Sequence, residues 1–361
     1  MDKFAFIFHP LDLSLYADGF NEHHLKKMKP SLVEGVMKWL PPFKRETITG
    51  IKSLTGDEIE GDMILVSLLP EQILSLDNNF VLNRIIEAGK IAEQSGAKIV
   101  GLGAYAAQVG KKGVLIAKSL KIPVTTGSSY TVSVAVEAIL KAAAMVGIKL
   151  VNAKIVIIGA TGSVGSICSK LLVAQGAHVV IVARNYSRLT ELKNEMLADI
   201  PDAAIEIDGD INKAIRDADI IITSTSTPLD LIEVKALNPG TIICDISRPK
   251  NISRESLHNR DDILVIEGGV VKPPGNVDFH FSFGLPFGLA YACIAETMIL
   301  TLEKRYENYS IGGNVSVEKA EEMGRLAKKH GFKLAKLMSF DRQISNGQIE
   351  KVKEARSIFK N

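Results

Sequence analysis

Cysteine and net charge are both scarce in this 361-residue sequence, and each shortage closes off a class of function. The three cysteines, at 168, 244 and 293, are odd in number and lack metal-ligand spacing, so neither a disulfide framework nor a bound metal is expected. They read as free thiols in a reducing, cytoplasmic setting. With 43 basic and 41 acidic residues the formal charge is only +2, and no block of like charge offers a footprint for nucleic acid. No apolar run reaches the roughly 18–20 residues of a membrane span. The first nine residues lack a basic start and a small-residue cleavage site, and Pro10 interrupts their short apolar run, so secretion is not expected.

What is present describes a globular chain, 46% hydrophobic and 23% charged, and longer than one ordinary core at ~100–200 residues per domain. The expected class is α/β, with a Rossmann-type doubly wound parallel sheet over residues 151–290. A separate N-terminal α/β substrate-binding domain is expected over 1–150. A C-terminal helical segment over 291–361 should pack back on both.

The strongest motif begins at Lys154. Ile155 to Ile158 give a buried-strand signal, and Gly159, Gly162 and Gly165 then lead into the helical spacing of Val164, Ile167, Cys168, Leu171 and Leu172. In such a turn no Cβ stands between a pyrophosphate and the backbone N–H groups of a helix N-terminus, whose dipole favours the anion. The spacing is G-x-x-G-x-x-G, a variant of the usual dinucleotide turn, with Thr161 and Ser163 inside it. A second strand, His178 to Ala183, ends at Arg184, where an NAD-specific site usually carries Asp or Glu. Arg184 suits the 2′-phosphate of NADP, with Asn185, Ser187 and Arg188 as further donors. The glycines would equally serve helix–strand packing beside a solvated arginine. NADP(H) is the expected cofactor.

The αβ rhythm continues through a helix at Leu189–Ala198, a weak strand at Ala204–Ile207, a helix at Asn212–Ala218 and strands at Ile220–Ser224, Thr241–Ile246 and Ile263–Glu267. Ligands of such sheets sit outside the carboxyl ends of the strands. Ser224, Thr225 and Ser226, the stretch from Ser247 to Asn251, and Gly268 and Gly269 all fall there.

In the first 150 residues, Phe4–Phe8 is an expected strand. Thr47–Ser53 and Glu60–Leu69 are two more, joined through a turn at Thr55-Gly56-Asp57, and Phe80–Ser95 is a helix closed by Gly96. His23, His24, Lys26 and Lys27 read as a solvated turn. Further strands are expected at Lys98–Gly103 and Ile122–Thr125. The hydroxyl-rich run Thr126–Thr131 then precedes an apolar helix, Val132–Val146, and either holds a polar substrate group or simply caps that helix through Ser129 or Thr131.

The cysteines differ in setting. Cys168 and Cys244 lie within apolar helix and strand patterns, whereas Cys293 stands where a Gly/Pro-rich loop, Gly284–Leu289, turns into a helix. A helix N-terminus stabilises a thiolate, the nucleophilic form, although burial on an apolar face is the commoner fate of a free cysteine. Phe279, Phe281 and Phe283 alternate as in an extended segment, suited to lining an acyl tunnel or to packing on a core.

Taken in order, Thr125–Thr131, Gly159–Gly165 with Ala183–Asn185, Pro249–Asn251, Gly268-Gly269, Ala292-Cys-Ile-Ala-Glu296 and Lys329-His-Gly-Phe332 resemble the long-chain acyl-(acyl-carrier-protein) reductases. Those are fatty-aldehyde-forming enzymes, with bacterial relatives labelled amino-acid or shikimate dehydrogenases. The resemblance runs over nearly the whole chain, but the segment before Pro286 and the tail after about Lys333 match less closely. It implies NADPH-dependent reduction of an acyl thioester, delivered by acyl carrier protein or coenzyme A, through a cysteine acyl-enzyme. The acylated cysteine falls on Cys293. Lys250 and the hydroxyls of Ser129 and Tyr130 are candidates to assist, Lys250 equally being a surface residue. The alternative is an NADP-dependent dehydrogenase of a small hydroxy or amino acid, with Cys293 in the core.

Overall fold

The computed structural model describes residues 1–13, 28–227, 230–248 and 250–360. His23, His24, Lys26 and Lys27 lie outside them, as does Pro249. The strands used below are β1 (Asp2–Phe8), β2 (Phe43–Lys52), β3 (Glu58–Leu65), β4 (Val100–Leu102), β5 (Val124–Thr125), β6 (Lys154–Ile158), β7 (His178–Val182), β8 (Ile205–Asp208), β9 (Ile220–Thr223), β10 (Ile242–Asp245) and β11 (Leu264–Glu267). The helices are α1 (Asn78–Gln94), α2 (Ser128–Val146), α3 (Ser163–Ala174), α4 (Tyr186–Asp199), α5 (Ala292–Leu302), α6 (Val317–His330) and α7 (Asn346–Lys360).

The chain forms two compact units. The first comprises Met1–Tyr130, Val271–Asn314 and Glu322–Lys333. Its six-stranded sheet runs from the strand Gly275–Asp278 through β2, β3, β1 and β4 to β5. β1 pairs in parallel with β3 and β4, whereas β2 runs antiparallel to β3 through the turn expected at Gly56. Successive side chains of β1 point to opposite faces. Ala5 and Ile7 join a core with Val81, Ile85 and Ala88 of α1. Phe4 and Phe6 lie on the other face, which glycines keep clear. A Cβ at Gly101 would stand 2.2 Å from Thr297 Oγ1 and 2.5 Å from the Phe6 ring, so only glycine lets α5 lie this close to β4. Ile294, Met298, Ile299, Leu300 and Leu302 of α5 are all buried, each contributing at most about 1.5–3 kcal/mol.

The second unit comprises Thr131–Val270, Val315–Glu321 and Leu334–Asn361. Its sheet has the order β11-β10-β9-β6-β7-β8 and every pair is parallel. The strands are Ile/Val runs because both faces are buried. Ile155, Ile157, Ile220 and Ile222 face one core, Val156, Ile158 and Ile221 the other. The chain enters at β6 in the middle of the sheet, builds outward to β8, then returns to β9 on the other side. The crevice of this doubly wound topology therefore opens at the carboxyl ends of β6 and β9.

Several elements differ from the reading of the sequence. The units are interleaved along the chain and do not follow the divisions 1–150, 151–290 and 291–361. Ala138, Ile139 and Ala142 of α2 belong to the core of the second unit, and α5 to that of the first, because each apolar face is buried where a sheet needs cover. The helix at Asn212–Ala218 is shorter, Ile211–Ala214, capped by Asp210. Strands continue beyond Glu267. α2 spans 19 residues and is apolar enough by composition to cross a membrane, but more than half of that window, 56%, is buried within the protein, as in a core helix. Phe279, Phe281 and Phe283 are not an extended face: Phe279 and Phe283 pack at 4.5 Å and Phe281 and Phe283 at 5.8 Å, in a closed aromatic cluster.

Candidate functional site

In the second unit the glycine turn sits at the end of β6. A Cβ at Gly159, whose φ is +86°, would meet the Ser224 carbonyl oxygen at 2.7 Å, and one at Gly165 would meet the Gly159 carbonyl oxygen at 2.4 Å. Glycine here closes β6, α3 and the β9 loop on one another. Gly162 is the N-cap of α3 and no side chain caps it. Thr161, Gly162, Ser163 and Val164 remain half-buried, so the first N–H groups of α3 stand at an accessible helix terminus. These residues fit a dinucleotide's pyrophosphate. Val164 also packs near Val132 and Ile167.

The rest of the crevice wall is fixed by a buried network. Asp245, at the end of β10, accepts from Thr223 Oγ1 at 2.8 Å, from Ser247 N at 2.9 Å and from Asn251 N at 2.7 Å. Asn251 in turn accepts from Thr225 Oγ1 and Ser247 Oγ, which shapes the loop of Ser224, Thr225 and Ser226. Burial raises the Asp245 carboxyl above its ordinary value despite Arg248 and these donors. Arg184 and Arg188 are exposed beyond β7, and Asn185 caps α4 by accepting from Arg188 N at 3.1 Å.

Two expected residues have evident packing duties. A Cβ at Gly268 would lie 2.6 Å from Cys244 Sγ, so this glycine clears space for the core, whereas Gly269 has open space around it. Lys250 donates to Glu267 at 3.1 Å and to Asp341 at 3.0 Å, and Arg248 donates to Glu267 at 2.9 Å. Burial pushes the Glu267 carboxyl up, but the two cations and the Asp341 N–H outweigh it and hold it below its usual range. The Lys250 amine therefore ties the β10 loop to the turn at Asp341.

In the first unit Cys293 lies in the first turn of α5 and is half-buried, whereas Cys168 and Cys244 of the second unit are wholly buried. Burial pushes the Cys168 thiol up to about 12 and the Cys244 thiol upward as well. Gly127 lies directly on Cys293: a Cβ there would stand 2.2 Å from Cys293 Cα and 2.4 Å from its Cβ. α2 begins at Ser128, so the hydroxyl run is the first turn of the helix and not a loop before it. Its N–H groups are satisfied from far along the chain. Tyr130 N donates to Glu296 Oε2 at 2.8 Å and Ser129 N to Ser310 Oγ at 3.2 Å, while the hydroxyl of Thr125, ahead of the helix, donates to Glu296 Oε1 at 2.5 Å. The ring of Tyr130 is buried edge-on to Phe332, with centroids 6.4 Å apart. Glu296 is fully buried, and burial raises its carboxyl against the donors that lower it.

Ser310 and Asp245 were not among the sequence candidates, and Glu296, Gly127 and Asn251 lay inside segments singled out there without a role of their own. The signal for Glu296 was its place three residues after Cys293, on the same helical face. The motif at Lys329 proves structural. His330 bonds Ser53 Oγ through Nδ1 at 2.8 Å and Glu303 through Nε2 at 2.6 Å, and a Cβ at Gly331 would meet the Leu54 side chain at 2.6 Å. These contacts pin the β2–β3 turn. Among the described residues no group of three or more His, Cys, Asp or Glu is placed to hold a metal. A cleft of about 430 Å³ opens beside Thr49, Lys52, Glu58 and Asn276, with Cys293 not among its lining residues.

Comparison with known proteins adds to this geometry. A family model for shikimate / quinate 5-dehydrogenase matches residues 141–267. Long-chain acyl-(acyl-carrier-protein) reductase from Synechococcus elongatus is 28% identical over 318 residues, 83% of this chain and 90% of that one. The chain is its distant relative. Aminotransferase PigE from Serratia sp. is 27% identical over 97% of this chain, which spans only 42% of PigE. Among solved structures, L-tryptophan dehydrogenase from Nostoc punctiforme is 13% identical with a TM-score of 0.41, covering 98% of this chain and 87% of that one.

Proposed function

We propose that this protein is a cytoplasmic NAD(P)-dependent oxidoreductase that prefers NADPH and reduces a fatty acyl thioester, presented on acyl carrier protein or coenzyme A, to a fatty aldehyde. The observation that carries this reading is the position of Cys293, the one half-buried thiol of the three, in the first turn of α5. The similarity to an acyl-(acyl-carrier-protein) reductase over 83% of the chain supports it. The Cys293 thiolate attacks the thioester carbonyl, the carrier leaves as a thiol after taking a proton, and the acyl group stays on Sγ. NADPH, when bound, supplies the hydride that reduces this enzyme thioester. The hydride adds to the acyl carbon, the first N–H groups of α5 stabilise the oxyanion that forms on the carbonyl oxygen, and its collapse breaks the C–S bond, releasing the aldehyde and regenerating the thiolate. The turn Gly159–Gly165 would hold the pyrophosphate, Arg184 and Arg188 the 2′-phosphate, and Ser224, Thr225 and Ser226 the crevice wall.

Incubation with palmitoyl-coenzyme A in the absence of NADPH, followed by intact mass, tests this. An adduct of one acyl group is expected on the parent protein and none on Cys293→Ser, which should keep its NADPH affinity. The match to shikimate / quinate 5-dehydrogenase over 141–267 favours a second reading, oxidation of a small hydroxy or amino acid, but it covers only residues of the nucleotide-binding unit. Absence of any adduct, together with NADP reduction by such an acid, would put that reading first.

A further inference from the structure

Glu296 has no part in the bond-making steps above, yet its carboxylate is the hub of the thiol's surroundings. Each oxygen acts as an acceptor, Oε1 from Thr125 Oγ1 and Oε2 from Tyr130 N, and these donors favour the carboxylate form, although burial raises its pKa overall. An anion at this place also meets the positive end of the α2 dipole. Glu296 therefore caps α2 from a different helix, 166 residues along the chain from Tyr130. Between Thr125 and Tyr130, the two residues it grips, lies Gly127, whose Cα has no room for a side chain against Cys293. One carboxylate thus fixes the loop that walls the thiol.

We propose that Glu296 is the positioning residue of the thiol site: its ionised carboxylate holds Gly127 against Cys293, and its charge, one helical turn from the thiol, sets the pH at which the thiol ionises. This rests on Cys293 being the nucleophile. Residues three apart on a helix are neighbours, so a negative charge at 296 opposes thiolate formation at 293, and α5's own N-terminus favours it. Tyr309, bonded to Glu322 at 2.8 Å, also senses the Glu296 charge, and Arg305 pairs with Glu322 at 2.9 Å.

The test uses the full chain with two readouts, the pH profile of iodoacetamide alkylation at Cys293 followed by intact mass, and the rate of acylation by palmitoyl-coenzyme A. Glu296→Gln removes the charge and leaves one acceptor oxygen where the carboxylate has two, so it can no longer accept from both Tyr130 N and Thr125 Oγ1. The alkylation midpoint should fall by about half a unit or more. Acylation should slow on the order of ten- to a hundred-fold as the loop loses its seat. Glu296→Asp keeps the charge but is too short to reach both partners, so its midpoint should stay at the parent value while acylation still slows. Thr125→Val keeps the packing and removes one donor, and should slow acylation with little loss of thermal stability. A Glu296→Gln protein with both midpoint and acylation rate of the parent would overturn the proposal. So would one that merely melts earlier with an unchanged midpoint. A parent protein that alkylates normally but never acylates would refute the nucleophile reading while leaving the alkylation profile to judge the role of Glu296.

Discussion

Gly127→Ala offers the sharpest trial of the Cys293 geometry, because the structure separates its two costs. The first is conformational: Gly127 has φ of +72°, and an alanine there pays roughly 1–2 kcal/mol for the left-handed backbone, partly offset by about 0.4–1 kcal/mol from a less free unfolded chain. The second is steric. The added methyl would sit 2.2 Å from Cys293 Cα and 2.7 Å from the Cys293 carbonyl oxygen. Those are backbone atoms of a buried helix, which cannot swing aside as a flexible side chain can, and forced overpacking of this kind costs roughly 1–3 kcal/mol more. The total should be about 2–4 kcal/mol.

Gly96→Ala is the matched control in the same unit. Its φ is +84°, yet nothing lies within 4 Å of where its Cβ would be, so it should lose about 1 kcal/mol. Urea unfolding of both variants gives the difference, which is the steric term alone. Alkylation of Cys293 in the native state supplies the second readout: it should change at least several-fold in Gly127→Ala, where the α5 turn must shift, and hold steady in Gly96→Ala. Equal losses of stability in the two variants, with Cys293 reacting at the parent rate in both, would mean that Gly127 does not bear on the thiol.

The parallel sheet of the second unit was legible because its physics is local. Ile155–Ile158 and Ile220–Ile222 are runs that only a doubly covered parallel strand can bury, and Gly159 and Gly165 stand where a Cβ would strike backbone oxygens. What the sequence hid depends on partners far along the chain. The start of α2 was misplaced because Ser129 and Thr131 looked like its caps, whereas its N–H groups are taken by Glu296 and Ser310, which no local window contains. Lys250 looked available as a catalytic amine because Glu267 and Asp341, which engage it, are 17 and 91 residues away. Phe279, Phe281 and Phe283 alternate like a strand, but no ladder pairs them, and mutual ring packing closes the segment instead. The contiguous domain division differs from the two units for the same reason: α5 follows the parallel sheet of the second unit in sequence, but Gly101 and Phe6 provide the surface that accepts it.

Three further outcomes are expected. Arg184→Asp should weaken NADPH binding by about 1.5–3 kcal/mol, the loss of a charge-assisted pair, and leave NADH nearly unaffected; equal affinity of the parent for the two cofactors by calorimetry would defeat the assignment. Native protein treated with iodoacetamide at pH 8 should gain one adduct, at Cys293, since burial keeps Cys168 and Cys244 protonated and covered; prompt labelling of all three would contradict the core packing. The last concerns Asp219, which is buried yet accepts from Lys154 N at 2.9 Å and from Arg356 at 2.7 Å, with Lys360 at 3.2 Å. Burial pushes its carboxyl up, but these donors outweigh it and hold it below the ordinary value. A carboxyl whose pKa is lower folded than unfolded stabilises the fold above the unfolded pKa of about 3.9, and that stability is lost as pH falls through the folded pKa. Arg356→Met, which keeps the stem that packs on Gly240, should therefore cost about 1.5–3 kcal/mol at pH 7 and progressively less below about pH 4, as the parent protein gives up the same interaction. Urea midpoints of parent and variant that stayed equally far apart from pH 7 to pH 3 would show that Asp219 and Arg356 do not hold α7 to the sheet through charge.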